Sequence, residues 1–415
     1  MTTPSLQRRL GLGDAVFIGL GSMVGAGVFA VWAPAADAAG TGLLVGLAIA
    51  AVVAFGNATS SAQLAAAHPT SGGTYAYGRA ELGPWWGFIA GWGFVIGKTA
   101  SCAAMALTFA AYAAPAGWER PVAIGAVVAL TAVNWFGVTR TAGAARVIVV
   151  ITLGALAAAV TAAFSAGGAP DWFTAEEVWA GGGYGILQSA GLLFFAFAGY
   201  ARIATMGEEV RDPRRVIPRA IVIAFVLALA VYAVVAVAVL GALGPAGVAA
   251  SGQPVADAAA RSGWAWIGVV VRVGAAAGSL GALLALIAGV SRTAFAMSRE
   301  RDLPGFLDGV HPRWHVPHRA ELTASALVVV LVALVDLRGA IGFSSFGVLL
   351  YYFVANVAAF RQRGAARRYP TVLQIVGGIG CLVLAVTLPW PSVVAGVAVV
   401  AVGVAYRAIR LSRAA

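Results

Sequence analysis

The residues with the clearest chemical potential lie near the N-terminus. There an apolar stretch is interrupted by Gly21-Ser22-Met23-Val24-Gly25-Ala26-Gly27 and resumes with Val28-Phe29-Ala30. Three glycines in seven residues weaken a helix and leave backbone N–H and C=O groups without intrahelical partners. The first half-helix is expected to end around Leu20–Ser22 and the second to begin around Gly25–Gly27. The new N-terminus would present the N–H groups of Gly25, Ala26 and Gly27 and the positive end of a helix dipole, and both favour a carboxylate. Small residues also let a ligand approach the backbone. The carbonyls freed at Ser22 and Met23 are acceptors suited to an ammonium group.

A second interruption follows the same logic. Phe194-Phe195-Ala196-Phe197-Ala198-Gly199-Tyr200-Ala201-Arg202 places a glycine, a tyrosine and an arginine inside an apolar run. Taken alone, Gly199 could equally serve close helix packing. Paired with the first break, it reads as the other half of a site, with acceptors near Phe195 and Ala198. The ligand that carries an anion and a cation on one carbon is an α-amino acid.

The elements that must position these residues are membrane helices. The chain has 415 residues, of which 61% are hydrophobic and only 10% charged. A soluble domain carries about 25% charged residues, and the mean hydropathy here is +0.89. Apolar stretches of spanning length are expected at 14–38, 41–66, 84–113, 121–139, 146–166, 185–207, 218–243, 268–298, 319–336, 340–360, 371–388 and 391–408, twelve in all. In hydrocarbon, broken backbone is tolerated only against protein, a water-filled cavity or a ligand, so both breaks mark a binding site of the kind transporters use. No cleavable signal peptide is expected, because the first apolar stretch runs on into the broken span.

The net charge of +11 follows topology and not a nucleic-acid partner. Arg8, Arg9, Arg79, Arg140, Arg146, the runs Arg211–Arg219, Arg299–Arg319 and Arg361–Arg368, and Arg407–Arg413 fall on one side of alternating spans. Asp37, Glu119, Asp171, Glu176, Glu177, Asp257 and Asp336 fall on the other. The positive-inside rule then places both termini in the cytoplasm, with anionic lipid as the partner of the basic face. Cys102 and Cys381 lie in separate spans and build no disulfide framework. His68, His311, His315 and His318 sit in basic loops, where solvated side chains are expected in preference to a metal site. No cofactor is implied.

The first ten spans divide into two sets of five, within 1–166 and 185–360. An odd number of spans forces the second set to cross with opposite polarity, which is the arithmetic of an inverted repeat. Spans 11 and 12, within 371–408, then lie at the periphery, followed by a cytoplasmic tail at 409–415.

At this point the residues reach a resemblance. Gly21 to Phe29 resembles the glycine-rich motif of the amino acid–polyamine–organocation superfamily of permeases, whose fold is that of the bacterial leucine transporter. Phe194 to Tyr200, with Ile203-Ala204-Thr205 and Glu208 to Pro218, is similar to that family's sixth helix and following loop. Ser291 to Arg299, with Leu303-Pro304, His311-Pro312 and Pro317-His318, resembles the end of its eighth helix. Ser71 to Tyr77 resembles the loop before its third. The resemblance covers about 1–360 in order. It implies that Ser22, Gly25, Ala26 and Gly27 hold a substrate carboxylate, and that carbonyls of Met23, Phe195 and Ala198 hold the amino group. It further implies that Phe195, Phe197 and Tyr200 line or gate the side-chain pocket. Two departures matter: some members carry serine at the position of Ala26, and some an acidic residue at that of Ala201.

Four more residues are candidates for coupling or gating. Lys98 is the only lysine of the chain and lies in span 3. A charge at mid-bilayer costs ~2.5–3.5 kcal/mol on insertion scales, so Lys98 is either a coupling or substrate-sensing amine or a snorkelling or hydrogen-bonded lysine that ties span 3 to a neighbour. Some permeases of the superfamily hold a lysine in the fifth helix where sodium-coupled relatives hold an ion, and the comparable position here is Thr152. Ser291, with Thr293, could lend oxygens to sodium. Arg202 is expected in an inner gate with Glu208 or Asp14, or against an acidic substrate side chain.

The reading is an all-α membrane protein of about twelve helices, with a 5+5 inverted repeat, helices 1 and 6 broken, and two peripheral helices. Its expected function is a secondary active permease of amino acids working by alternating access in the plasma (inner) membrane. The substrate is expected to be neutral, since no acidic side chain is visible to match a cationic one, with proton or sodium coupling or exchange as alternatives. An amino-acid-sensing receptor on the same fold, or a transporter of another amine such as a polyamine, are the competing readings. An enzyme is disfavoured by the absence of an intramembrane His/Asp/Glu cluster or activated nucleophile.

Overall fold

The computed structural model describes residues 10–70, 72–136, 142–167, 173–207, 209–314 and 316–412. Arg8, Arg9, Ser71, Arg140, Asp171, Glu208, His315 and Arg413 lie outside the described residues.

The described chain is helical, and its one β feature is an isolated parallel bridge between Leu10 and Val210. Helices α1 (Leu12–Met23), α2 (Gly27–Ala30) and α3 (Trp32–Ala39) occupy the first expected span. They are followed by α4 (Leu43–Ala67), α5 (Gly73–Leu82), α6 (Pro84–Ala113), α7 (Glu119–Trp135) and α8 (Ala142–Ser165). The second half comprises α9 (Ala175–Trp179), α10 (Gly182–Phe197), α11 (Ala201–Ala204), α12 (Pro213–Ala250), α13 (Pro254–Ala260), α14 (Ile267–Arg299), α15 (His318–Leu334) and α16 (Leu337–Arg361). The chain closes with α17 (Thr371–Thr387) and α18 (Trp390–Ser412).

Nine helical stretches of the described residues are long and apolar enough to cross a membrane. Helix α17 is a shorter apolar helix of 17 residues. The expected spans 121–139 and 319–336 coincide with α7 and α15, each also 17 residues, or about 25 Å at 1.5 Å per residue. The expected span 218–243 is longer than foreseen: α12 starts at Pro213, and its helical geometry is interrupted only at Gly244 (φ +68°), just before Pro245. A proline inside a helix removes one hydrogen bond and clashes with the preceding turn, so the chain bends there.

Residue size sets the spacing of the helices. Between α6 and α16, a methyl built on Gly347 would stand 2.7 Å from the Gly97 Cα, so the two backbones pack in direct contact. Lipid offers no hydrophobic drive for helix association, and small residues permit the close packing that replaces it. Between α4, α16 and α17 the seam is polar and buried. Asn356 Nδ2 donates to Asn57 Oδ1 at 2.6 Å, Ser60 Oγ to Asn356 Oδ1 at 2.7 Å, and Gln63 Nε2 to Gln362 Oε1 at 3.1 Å. Each of these groups would be costly to leave unpaired away from water.

Candidate substrate site

The first break lies where the glycines place it. Helix α1 ends at Met23, with the Val24 N–H donating to Leu20 O at 2.7 Å, and α2 begins at Gly27. Val31 keeps helical angles, and the Val31 and Ala35 N–H groups donate to Gly27 O and Val31 O, so α2 and α3 form one nearly continuous second half. Across the break, the next backbone bond after Val24 is Phe29 N–H to Ala26 O. The N–H groups of Gly25 and Ala26 therefore stand at the open N-terminal end of the second half, where a dipole favours an anion.

The second break comprises a short 3₁₀ turn, Ala198–Tyr200, between α10 and α11. The two breaks touch. A methyl built on Gly199 would run into the Ser22 carbonyl and stand 2.6 Å from the Met23 nitrogen, and one on Gly27 would stand 2.8 Å from the Ala196 Cα. Glycine is required at both positions because backbone meets backbone.

The carbonyls of the breaks are already engaged by side chains. The Tyr232 hydroxyl of α12 lies 2.7 Å from Met23 O and 2.8 Å from Ala196 O. Ala198 O accepts from Lys98 Nζ and from the Tyr352 hydroxyl, each at 3.2 Å. Phe195 O accepts the Ala198 N–H. The Ser22 hydroxyl turns back to donate to Ile18 O at 2.9 Å. The Tyr200 ring lies 5.0 Å from that of Tyr352, and its hydroxyl is buried. Phe195 is buried beside the break, whereas Phe197 faces α12, with its ring 5.0 Å from Tyr232 and 5.5 Å from Phe225.

Among the gating candidates, Thr152 is brought to the first break and Ser291 is not. Thr152 is buried on α8, and a methyl on Gly278 of α14 would stand 3.2 Å from its Oγ1 and 3.5 Å from the Gly25 carbonyl carbon. A cavity of about 10 Å³ lies there, lined by Gly21, Val24, Ile148, Val149, Thr152 and Gly278. Ser291 binds back to Ala288 O in its own helix, ~20 Å along the axis from Gly278. Arg202 Nη1 donates to Thr205 Oγ1 at 3.4 Å. Asp14, expected beside Arg202, is paired with Arg146 of α8 instead.

Sequence reasoning missed Tyr232 and Tyr352, which serve these carbonyls, and Tyr112, whose hydroxyl donates to Phe29 O of α2 at 3.2 Å. The available signal was a tyrosine inside an apolar run, an apolar body with a polar tip that must find a partner.

The two faces of the site differ. On the arginine-rich face, Leu10 N–H donates to Glu209 O and Arg211 N–H to Leu10 O, each at 3.0 Å, clamping the start of α1 to the strap after α11. The Tyr77 hydroxyl holds Ala204 O at 2.9 Å. Beside it, the buried Asp302 carboxylate takes Tyr75 at 2.8 Å, Arg79 at 2.9 Å and also Arg407 of α18. Burial, with the Asp302 carboxylate next to it, holds the Tyr75 phenol well above its ordinary pKa, so it stays a hydrogen-bond donor. On the opposite face a cavity of about 290 Å³ opens between Asp37, Asp336 and Arg338 and is lined deeper by Phe29, Thr108 and Tyr112. Arg338 and Asp37 form an ion pair there. Among the described residues no group of three or more His, Cys, Asp or Glu side chains is disposed to hold a metal.

Apolar helices enclosing two apposed interruptions, with a cavity on one face and a clamp on the other, suit a membrane transporter. The model of the amino acid permease family matches residues 10–411, and the chain belongs to that family. It is 58% identical over 412 residues to an uncharacterized transporter of Mycobacterium tuberculosis, covering 98% of this chain and 92% of that protein. It is 25% identical to the branched-chain amino acid permease BcaP of Bacillus subtilis, over 94% of this chain and 90% of that one. With the human cationic amino acid transporter 4 it shares 28% identity, over 85% of this chain and 59% of that protein.

Proposed function

We propose that this permease carries a neutral α-amino acid by alternating access, with the substrate seated at the paired breaks. The observation that carries the reading is their direct apposition: open N–H groups at Gly25 and Ala26 on one side, a cluster of backbone carbonyls on the other. The carboxylate is assigned to Gly25, Ala26 and Gly27, with Ser22 as a neighbour. The amino group is assigned to the carbonyls of Met23 and Phe195. Phe195 and Tyr200 border the side-chain pocket, and Phe197 acts through α12.

Reading α7, α15 and α17 as spans alongside the longer helices gives twelve, of which the first ten form the inverted repeat. Both termini and the arginine-rich face are assigned to the cytoplasm of a plasma membrane. The arrangement is then closed to the cytoplasm and accessible from outside through the larger cavity. Coupling is assigned to the ion gradient or to exchange, with the contact of Thr152 and Gly278 as the position to test. The names of the relatives include branched-chain and cationic substrates, and an aromatic lining with no acidic side chain among the described residues favours the neutral class here.

The test is a thermal-shift screen of the twenty amino acids on purified protein, with and without sodium, followed by uptake into proteoliposomes. Saturable, counterflow-competent flux of a stabilising amino acid is expected. Binding without flux under any gradient would favour a receptor, and stabilisation by polyamines alone would overturn the amino acid assignment.

A further inference from the structure

We infer that Lys98 sets the charge selectivity of this permease: its ammonium, seated at the second break, makes the site reject amino acids with a cationic side chain. The inference rests on the reading of the paired breaks as the amino acid seat. Lys98 is buried in α6, and its Nζ donates to Ala198 O at 3.2 Å. The Tyr352 hydroxyl donates to the same oxygen at 3.2 Å, so both lone pairs of that carbonyl are filled.

Among the described residues no carboxylate pairs with the Lys98 ammonium. The ionisable groups around it are a thiol, Cys102, one turn further along its own helix, and phenols, Tyr200 and Tyr352, at the carbonyl it holds. A hydrogen bond alone would not need an ammonium. A glutamine could tie α6 to the break without the penalty of a buried charge. What a lysine adds is an ammonium at the second break, one hydrogen bond from Ala198 O.

That charge treats the two substrate classes differently. A zwitterion brings its own carboxylate and no net charge. A lysine-like substrate adds a second cation inside the protein. As a general scale, like unit charges within ~7 Å of one another at an effective dielectric of ~20 repel by a factor on the order of 50 or more. A polyamine, with more charges, is disfavoured further.

The test uses the full-length protein and a near-isosteric pair of probes, L-norleucine and L-lysine, which differ by one terminal charge. Wild type is expected to bind L-norleucine on the order of 50- to 100-fold more tightly. Lys98→Met removes the charge and the donor, whereas Lys98→Gln keeps a donor for Ala198 O and removes only the charge. Both are expected to bring the ratio within about tenfold by tightening L-lysine. A merely structural lysine would be rescued by glutamine with the ratio unchanged, and that result overturns the inference while leaving the seat intact. If wild type binds none of the twenty amino acids or L-norleucine, the seat itself falls and the inference with it.

Discussion

Gly199→Ala is the smallest change that tests the apposition of the two breaks. The added methyl would stand 2.6 Å from the Met23 nitrogen and closer still to the Ser22 carbonyl, against ~3.5–4.0 Å for comfortable carbon contacts. Both opposing atoms are backbone, so no rotamer change relieves the clash, and the breaks must separate by nearly an ångström. Overpacking of this kind costs ~1–3 kcal/mol, which corresponds to a loss of about 5- to 150-fold if it falls on the binding-competent arrangement. The assay is substrate-induced thermal stabilisation of the purified variant beside its unliganded melting temperature. Gly289→Ala is the control, because a methyl on this α14 glycine meets nothing within 4 Å. There, removal of the glycine should be neutral or stabilising by up to ~1 kcal/mol. A Gly199→Ala protein that melts and binds like wild type would show that the breaks do not touch, and the substrate assignment would fall with the contact.

Three further outcomes are expected. Tyr232→Phe leaves Met23 O and Ala196 O without their side-chain donor and should cost ~1–3 kcal/mol, read as a lower melting temperature and weaker binding; unchanged binding would remove Tyr232 from the site. Asp302→Asn deprives Arg407 and Arg79 of their shared carboxylate, and losing one partner of a buried pair costs ~3–5 kcal/mol. Cysteine labelling from the arginine-rich face should then increase at the Leu10–Val210 clamp, and unchanged labelling would uncouple α18 from that closure. Arg338→Ala breaks a half-exposed pair with Asp37, so stability should change by less than ~1 kcal/mol while access of bulky reagents to the outer cavity rises.

The breaks were legible because glycine clustering and apolar length are local properties. Gly21–Gly27 and Phe194–Arg202 announce an interruption whatever packs around them. Lys98 was conspicuous as a charge at the wrong depth, yet its partner, Ala198 O, depends on how α6 crosses α10, which no local pattern records. The same holds for Tyr232 and Tyr352. The hydroxyl of Ser22 was expected to face a ligand, but a serine on a helix can satisfy itself on the preceding turn, and this one does so at Ile18 O. Ser291 shares a helix with Gly278 but lies several turns away, a distance that a motif match ignores. Phe197 follows Phe195 by two residues, and that spacing on a helix turns it to a different face, here toward Phe225 and Tyr232.

The Tyr232 hydroxyl has one hydrogen and two claimants. Met23 O belongs to the first interruption and Ala196 O to the helix leading into the second, at 2.7 and 2.8 Å. A three-centre arrangement gives neither a full hydrogen bond, and each carbonyl has a second lone pair besides. The electronegative side of the seat is therefore short of protein donors, and the shortage is divided between the two halves of the chain. An ammonium group seated at Met23 O and Phe195 O would relieve the shortage on the first side and leave the tyrosine to serve Ala196 O alone.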